Sequence, residues 1–265
     1  MFIEKKYRRL FDNIRECAKV SIELSGKDKK YLPGIKYLED HFLFDLPIYR
    51  NLRIVLFLAK KIPENSKILD WGCGYGDSSY MLGSIRPDLD IISYDVLSSP
   101  PWEILSKKEN LHKITDSNEK KLPFETGCFD AVMGIGVLEH VKDQSDSLRE
   151  IRRVLKPEGK FYVFLYPNKL SYTEKFQKII GNPHHDRPLG MKELKKTLID
   201  SGFSVETEEY QLILPIMLSR FPFFVRKLYN NLGNLISAAN SILEKMPVIN
   251  RFSSNIAIIC RKKQI

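Results

Sequence analysis

Cysteine is scarce and scattered. Four residues of this type, Cys17, Cys73, Cys128 and Cys260, occur in 265, and no two form a C-x-x-C pair. That excludes a disulfide-stapled scaffold and a metal knuckle; reduced thiols in a cytoplasmic protein and no metal site are the expectation. Long apolar runs are also lacking. No stretch approaches the ~20 residues that cross a bilayer, so a spanning protein is excluded. The first residues, Met1-Phe-Ile-Glu-Lys-Lys-Tyr-Arg-Arg9, are charged almost from the start and lack the apolar run of a secretory leader. Repeats and low-complexity tracts are absent, which removes solenoids and collagen-like chains. What is present is 43% hydrophobic and 28% charged residue, the make-up of a globular protein with a substantial core.

Acidic charge is short at both ends. Residues 1–36 carry a net +5 and residues 211–265 a net +7, leaving about −3 for 37–210 within the overall +9. An acidic centre between basic ends suggests central cofactor chemistry, with ends that face something anionic: phospholipid, nucleic acid or a phosphorylated substrate.

Along the chain the rhythm changes once. Residues 1–25 and Asp45 to Lys61 space their apolar side chains as amphipathic helices, with a turn at Tyr31-Leu-Pro-Gly34 between them. From Lys67 onward, strands alternate with helices. Strands are expected at Lys67–Trp71, Asp90–Asp95, Leu111–Asp116, Phe129–Ile135 and Lys160–Tyr166, then from Phe203 and near 255–262. Helices are expected after the glycine loop to about Arg86, over Asp143–Leu155 and over Met191–Ser201. This alternation predicts βαβ units and a mainly parallel sheet, whose ligand site lies at the carboxyl ends of its strands.

The most informative segment is Ile68-Leu-Asp-Trp-Gly-Cys-Gly-Tyr-Gly-Asp-Ser-Ser79. Gly72, Gly74 and Gly76 let a ligand approach the backbone. A dinucleotide fingerprint, G-x-G-x-x-G, would need glycine where Asp77 stands. A pyrophosphate would meet Asp70 and Asp77, both negative, against the usual attraction at a helix start. A cationic ligand without phosphate suits the loop better, and S-adenosylmethionine is one.

Asp70-Trp-Gly-Cys-Gly-Tyr-Gly76 resembles motif I of the class I S-adenosylmethionine-dependent methyltransferases, in particular the type 11 group. Other segments follow in the family's order: Asp95 ending strand two, Asp116-Ser117 after strand three, Leu122-Pro-Phe with Phe129-Asp, Gly134-Ile-Gly-Val-Leu-Glu-His-Val141, and Arg153-Val-Leu-Lys-Pro-Glu-Gly159. The resemblance covers about 64–210 and a last strand. It implies a Rossmann-like α/β fold with strand order 3-2-1-4-5-7-6 and strand seven antiparallel. It also implies S-adenosyl-L-methionine held by Asp70, Gly72, Cys73, Gly74, Gly76, Asp95, Val96, Asp116, Ser117, Gly134 and Val137. Asp95 would take the ribose hydroxyls, for which a two-oxygen acceptor is suited. Residues 1–63 would form a helical extension, and 64–265 the methyltransferase domain with a helical insertion at about 213–252.

Methyl transfer is an in-line displacement that alignment accelerates. Where the acceptor holds a proton, His140, His184 or His185 is a candidate base, with Arg187 available for an anionic group. Tyr166, Asn168 and Tyr172 are further candidates for substrate contact. The stretch 212–229 interleaves aromatics and aliphatics with Arg220, Arg226 and Lys227, which suits contact with an anionic membrane, a lid packed over the substrate pocket or a dimer contact. The acceptor expected is a small molecule, a glycan or a lipid-linked compound, methylated at oxygen. Localisation is expected to be cytoplasmic or peripheral to the inner face of the membrane. Nucleic acid is disfavoured, since strand four lacks an Asn/Asp-Pro-Pro-Tyr or Pro-Cys motif. The rival readings are a non-catalytic cofactor-binding scaffold, a methyltransferase acting on nucleic acid, which the basic ends keep open, and a nucleotide-binding oxidoreductase, which Asp77 disfavours.

Overall fold

The computed structural model describes residues 5–25, 32–96, 110–116, 121–179, 188–216, 218 and 221–264. Seven strands form one sheet in the order β3-β2-β1-β4-β5-β7-β6. They are β1 (Lys67–Trp71), β2 (Asp90–Asp95), β3 (Leu111–Thr115), β4 (Phe129–Ile135), β5 (Leu155–Pro167), β6 (Phe203–Gln211) and β7 (Asn255–Lys262). The pairings from β3 to β5 are parallel, and β7 runs antiparallel to both β5 and β6. The order reverses between β1 and β4, where Asp70 lies beside Met133. A crevice outside the carboxyl ends of these two strands follows from that reversal.

Period-two alternation divides the core between the two faces of the sheet. Ile68, Met133 and Tyr162 turn to one side, with helices α1 (Lys5–Ser25), α2 (Leu32–Phe42), α3 (Asp45–Lys61) and α4 (Asp77–Ile85). Leu69, Val132 and Phe161 turn to the other, with α5 (Gln144–Val154) and α7 (Met191–Asp200). On α5 the stripe Leu148, Ile151 and Val154 is buried. Its start is capped by the Asp143 carboxylate, which accepts from the Asp146 amide, and its last turn carries Arg152 and Arg153 against the helix dipole. Phe11, Leu38, Phe42, Leu52 and Val55 of the first three helices share one apolar cluster with the sheet.

Two expectations change, and one helix is new. Of the turn expected at Tyr31-Leu-Pro-Gly34, the described residues are helical: α2 begins at Leu32, where Pro33 falls in the first helical turn and its missing N–H costs no hydrogen bond. Strand β5 begins at Leu155, five residues early, because Leu155 pairs with Phe129 before a register shift and Glu158 takes a left-handed φ of 63°. A short helix, α6 (Tyr172–Ile179), follows β5. Between β6 and β7 lie α8 (Phe223–Asn231), α9 (Gly233–Leu243) and a 3-10 turn at Ile249–Phe252. No helix among the described residues is long and apolar enough to cross a membrane.

Candidate functional site

The glycine turn joins β1 to α4 at the point of strand reversal. Gly72, Gly74 and Gly76 all have positive φ, at 70°, 53° and 78°. Gly72 needs this for a second reason: a Cβ there would lie 2.5 Å from both methyls of Val137. Val137, in the loop after β4, is thereby locked across the turn. Gly72→Ala is expected to cost about 2–4 kcal/mol from left-handed strain and overpacking together. Thermal unfolding of the single and double variants checks this. Val137→Ala should restore part of the loss, and a strictly additive pair would reject the packing account. Gly74 differs, since a Cβ there would meet no atom within 4 Å and would point into open space.

Three carboxylates surround the turn. Asp70 is buried at the floor, where its Oδ2 accepts from the Ser79 hydroxyl at 2.6 Å. Burial raises its pKa to about 7; the Ser79 hydrogen bond opposes the rise, and the nearby Asp77 and Asp95 add to it. Asp95 Oδ2 accepts from the Gly74 amide at 2.7 Å, which fixes the loop to the end of β2. Asp77 turns toward α3, where Asn51 Nδ2 donates to its Oδ2 at 2.7 Å and Arg50 Nε donates to Asn51 Oδ1 at 2.9 Å. Burial raises the Asp77 pKa, while the Asn51 hydrogen bond and the charge of Arg50 act against the rise.

Helices α2 and α3 supply groups that local sequence did not flag. The Tyr37 ring stacks on His41 with centroids 3.7 Å apart and faces Tyr75 of the glycine turn at 5.4 Å. His41 Nδ1 donates to the Tyr37 carbonyl at 2.9 Å, an assignment that follows from a carbonyl's having only lone pairs. Burial, with Arg50 nearby, lowers the His41 pKa to about 3, so this ring is neutral at physiological pH. Arg50 lines the same cleft beside the turn, a cation that fits a carboxylate. Nothing in the apolar spacing of α3 marks its polar positions as facing a pocket.

These groups line one cleft of about 1730 Å³. Of the residues expected to hold a cofactor, Asp70, Gly72, Cys73, Gly74, Asp95, Val96 and Val137 lie on its wall. Gly134 does not: it is buried within β4, where an added Cβ would lie 3.2 Å from the Trp71 ring. The glycine at the strand's end is Gly136, with φ 69°. Gly76 starts α4 and is not on the wall, and neither is Asp116, whose carbonyl accepts from the hydroxyl of Tyr94, itself a wall residue. Ser117, His184 and His185 fall outside the described residues, as do Asp186 and Arg187. His140 stands at the cleft mouth, its Nε2 3.9 Å from Glu139 Oε1.

The far wall comes from α6 and the insertion, with Tyr172, Phe176, Pro215, Ile216, Leu218 and Phe221. Tyr172 is on that wall as expected, and its hydroxyl donates to the Ile213 carbonyl. Tyr166 and Asn168 are not. Tyr166 is buried and accepts from Gln144, while Asn168 donates to the Arg251 and Ser253 carbonyls. Leu165 and Leu212, both on the wall, hold positive φ angles of 59° and 65°, strain of the sort that accumulates around ligand sites.

A buried acid near neutrality, a glycine opening on empty space and an aromatic face fit a ligand with a cationic centre. Comparison with known proteins agrees. Residues 69–163 match the model of the methyltransferase domain family. A demethylmenaquinone methyltransferase of Thermotoga maritima is 33% identical over 57% of this chain and 69% of its own length. A Mycobacterium tuberculosis protein described as an S-adenosylmethionine-dependent methyltransferase is 29% identical over 51% of this chain. The chain spans about half the length of that relative, 48%. In fold it resembles a methyltransferase solved in complex with the Haloferax volcanii Trm112 activator, at 17% identity and a TM-score of 0.59 over 94% of this chain and 98% of that one. It also resembles a Haemonchus contortus phosphoethanolamine N-methyltransferase in complex with S-adenosylmethionine, at 18% identity and a TM-score of 0.55 over 82% of this chain and 53% of that one. Sequence motifs, sheet order, site and relatives converge: the chain belongs to the class I S-adenosylmethionine-dependent methyltransferases.

Proposed function

We propose that this protein transfers the methyl group of S-adenosylmethionine to an oxygen of a small-molecule, glycan or lipid-linked acceptor. The observation that carries the proposal is the continuity of one cleft. It begins at the acid-floored glycine turn and ends at an apolar rim, and its volume of about 1730 Å³ exceeds the ~300–1,000 Å³ of an ordinary ligand pocket. Cofactor and acceptor thus have room side by side.

When bound, S-adenosylmethionine supplies an electrophilic methyl on a sulfonium. Asp70 faces the cationic methionine end, Arg50 holds its carboxylate, and Asp95 takes the ribose hydroxyls. Tyr37 and Tyr75, stacked on each other, add an aromatic wall that sheds water beside the turn. The acceptor lies toward Phe176 and Phe221, and His140 at the mouth takes its proton. Alignment supplies much of the rate, so rigid walls serve better than a strong base. The T. maritima relative is named for a menaquinone precursor, which favours a lipid-tailed acceptor here.

The test is incubation with methyl-labelled S-adenosylmethionine and separate lipid, glycan and small-molecule extracts. Release of S-adenosylhomocysteine with label in an ether or ester is expected. Tight cofactor binding without product from any extract would favour the scaffold reading, and label on nucleic acid alone would replace the acceptor class.

Proton linkage gives a sharper prediction. A cation held by Asp70 favours its ionised form and lowers the raised pKa, so binding releases a proton. Affinity should rise as pH increases from about 5 to 7 and level off above, because protons compete with the cation only below the free protein's pKa, about 7. Calorimetry across that range checks the slope, and Asp70→Asn should flatten it. An unchanged slope in that variant would move the effect to another group.

A further inference from the structure

Helix α8 is built inside out, and α9 is so in part. On α8 the inward side chains are polar: Arg226 pairs with Asp40 at 2.6 Å, Tyr229 donates to the Pro215 carbonyl at 2.7 Å, and Asn230 accepts from the Leu46 amide at 3.0 Å. On α9 the buried Asn240 accepts from the Leu214 amide at 2.7 Å and donates to the same residue's carbonyl at 3.2 Å. Ile236 is buried beside it. The outward side chains are mainly apolar, with Lys227, Asn231 and Asn234 among them. Phe224, Leu228 and Leu235 are 71%, 63% and 67% exposed, and no residue of α8 is buried. A helix resting on a water-soluble core has the opposite arrangement, and a contiguous apolar ridge of this kind marks a contact surface.

We propose that the α8–α9 ridge seats on the surface of an anionic bilayer. Three observations choose this occupant. Charge is the first: residues 211–265 hold eight Lys/Arg and one acid, Glu244, although Arg226 is paired inward with Asp40 and Arg261 and Lys262 lie on β7, bonded to Glu158, Glu206 and the Leu155 carbonyl. Glu244 is turned inward, bonded to Arg53 at 3.1 Å and to the Leu212 amide at 2.9 Å. Lys227, Lys245 and Arg251 remain exposed around the ridge, the arrangement that anionic headgroups attract. A second copy of this chain would bring the same positive charge against itself. Length is the second: nine and eleven residues fall short of the ~20 that span a bilayer, so the helices lie in the interface. Continuity is the third. Phe221 and Phe176, both more than half exposed, also line the cleft, so its mouth opens beside the ridge. The contact differs from the expected 212–229: Leu212 and Ile213 are buried, and the exposed ridge runs on through α9.

A lipid-tailed acceptor then reaches the cleft from the membrane without crossing water. This second half rests on the methyl-transfer reading; the docking half does not.

The test is co-sedimentation of the full chain with vesicles of phosphatidylcholine and phosphatidylglycerol, and with phosphatidylcholine alone. A triple variant, Phe224→Asp, Leu228→Asp and Leu235→Asp, is run in parallel, with circular dichroism to confirm its fold. S-adenosylmethionine affinity is measured for both proteins. The parent should sediment with the anionic vesicles only, and the triple variant should lose binding by about tenfold or more. Lys227→Glu with Lys245→Glu should weaken it by a factor on the order of ten. A parent that stays in the supernatant overturns the proposal, as does equal sedimentation of parent and triple variant. A parent dimer that the triple variant dissociates, without vesicle binding, assigns the ridge to a second copy and also overturns it. Vesicle binding without S-adenosylmethionine binding would sink the methyl-transfer reading and leave the docking surface standing.

Discussion

Gly74→Val abolishes measurable binding of S-adenosylmethionine while the protein still folds. Two physical facts set this outcome. The position holds φ 53°, where a β-branched residue costs roughly 1–2 kcal/mol of backbone strain. That strain is tolerable for a domain with a core of this size. The larger effect is in the cleft, because the added side chain meets no protein atom and projects into the space left for the ligand. Calorimetry should find affinity reduced at least about a hundredfold, the scale of several kcal/mol from steric exclusion. The contrast with Gly72 is diagnostic. An alanine at Gly72 strikes Val137 and acts on stability, whereas a valine at Gly74 strikes the ligand and acts on binding. Parent-like affinity in Gly74→Val would mean that the ligand lies elsewhere.

Asp95→Ala weakens the same binding by about 1–3 kcal/mol, or roughly five- to 150-fold, through loss of hydrogen bonds to a sugar diol. The carboxylate ends β2 beside the turn, and its Oδ2 already accepts from the Gly74 amide. Alanine therefore removes a ligand contact and loosens the loop together. Asp95→Asn separates these effects. It keeps one oxygen for the amide but replaces the other with a donor that faces the hydroxyl protons. An affinity for the asparagine variant close to that of alanine assigns the loss to ligand contact. Recovery to the parent value would assign Asp95 a structural role alone.

Much of this architecture was legible in the sequence because parallel strands buried on both faces write themselves as compact apolar runs. Lys67–Trp71 and Phe129–Ile135 have the extents expected of them, and the motif order carried the strand order with it. Pro33-Gly34 misled because the pair signals a turn in isolation, yet proline in a first helical turn is no obstacle when Leu38 and Phe42 draw the segment into the core. In Gly134-Ile-Gly136 two glycines compete for one turn. Pairing with β5 carries β4 through Ile135, so the second glycine makes the turn and the first is packed under Trp71. Tyr37, His41 and Arg50 were illegible for a different reason. They reach the cleft only through the docking of α2 and α3, a tertiary event with no local motif. The insertion was readable as apolar with basic residues between. Its reversed polarity was not, because the inward role of Asn240 and Tyr229 depends on backbone groups of 214 and 215.

The account stands on the identity of the group that sits over residues 70–77. Paired titration calorimetry with S-adenosylmethionine and with NAD, in one buffer at neutral pH, addresses it most directly. Saturable heat with S-adenosylmethionine, lost in Gly74→Val, and none with NAD is the result predicted. Saturable binding of NAD with no response to S-adenosylmethionine would contradict it.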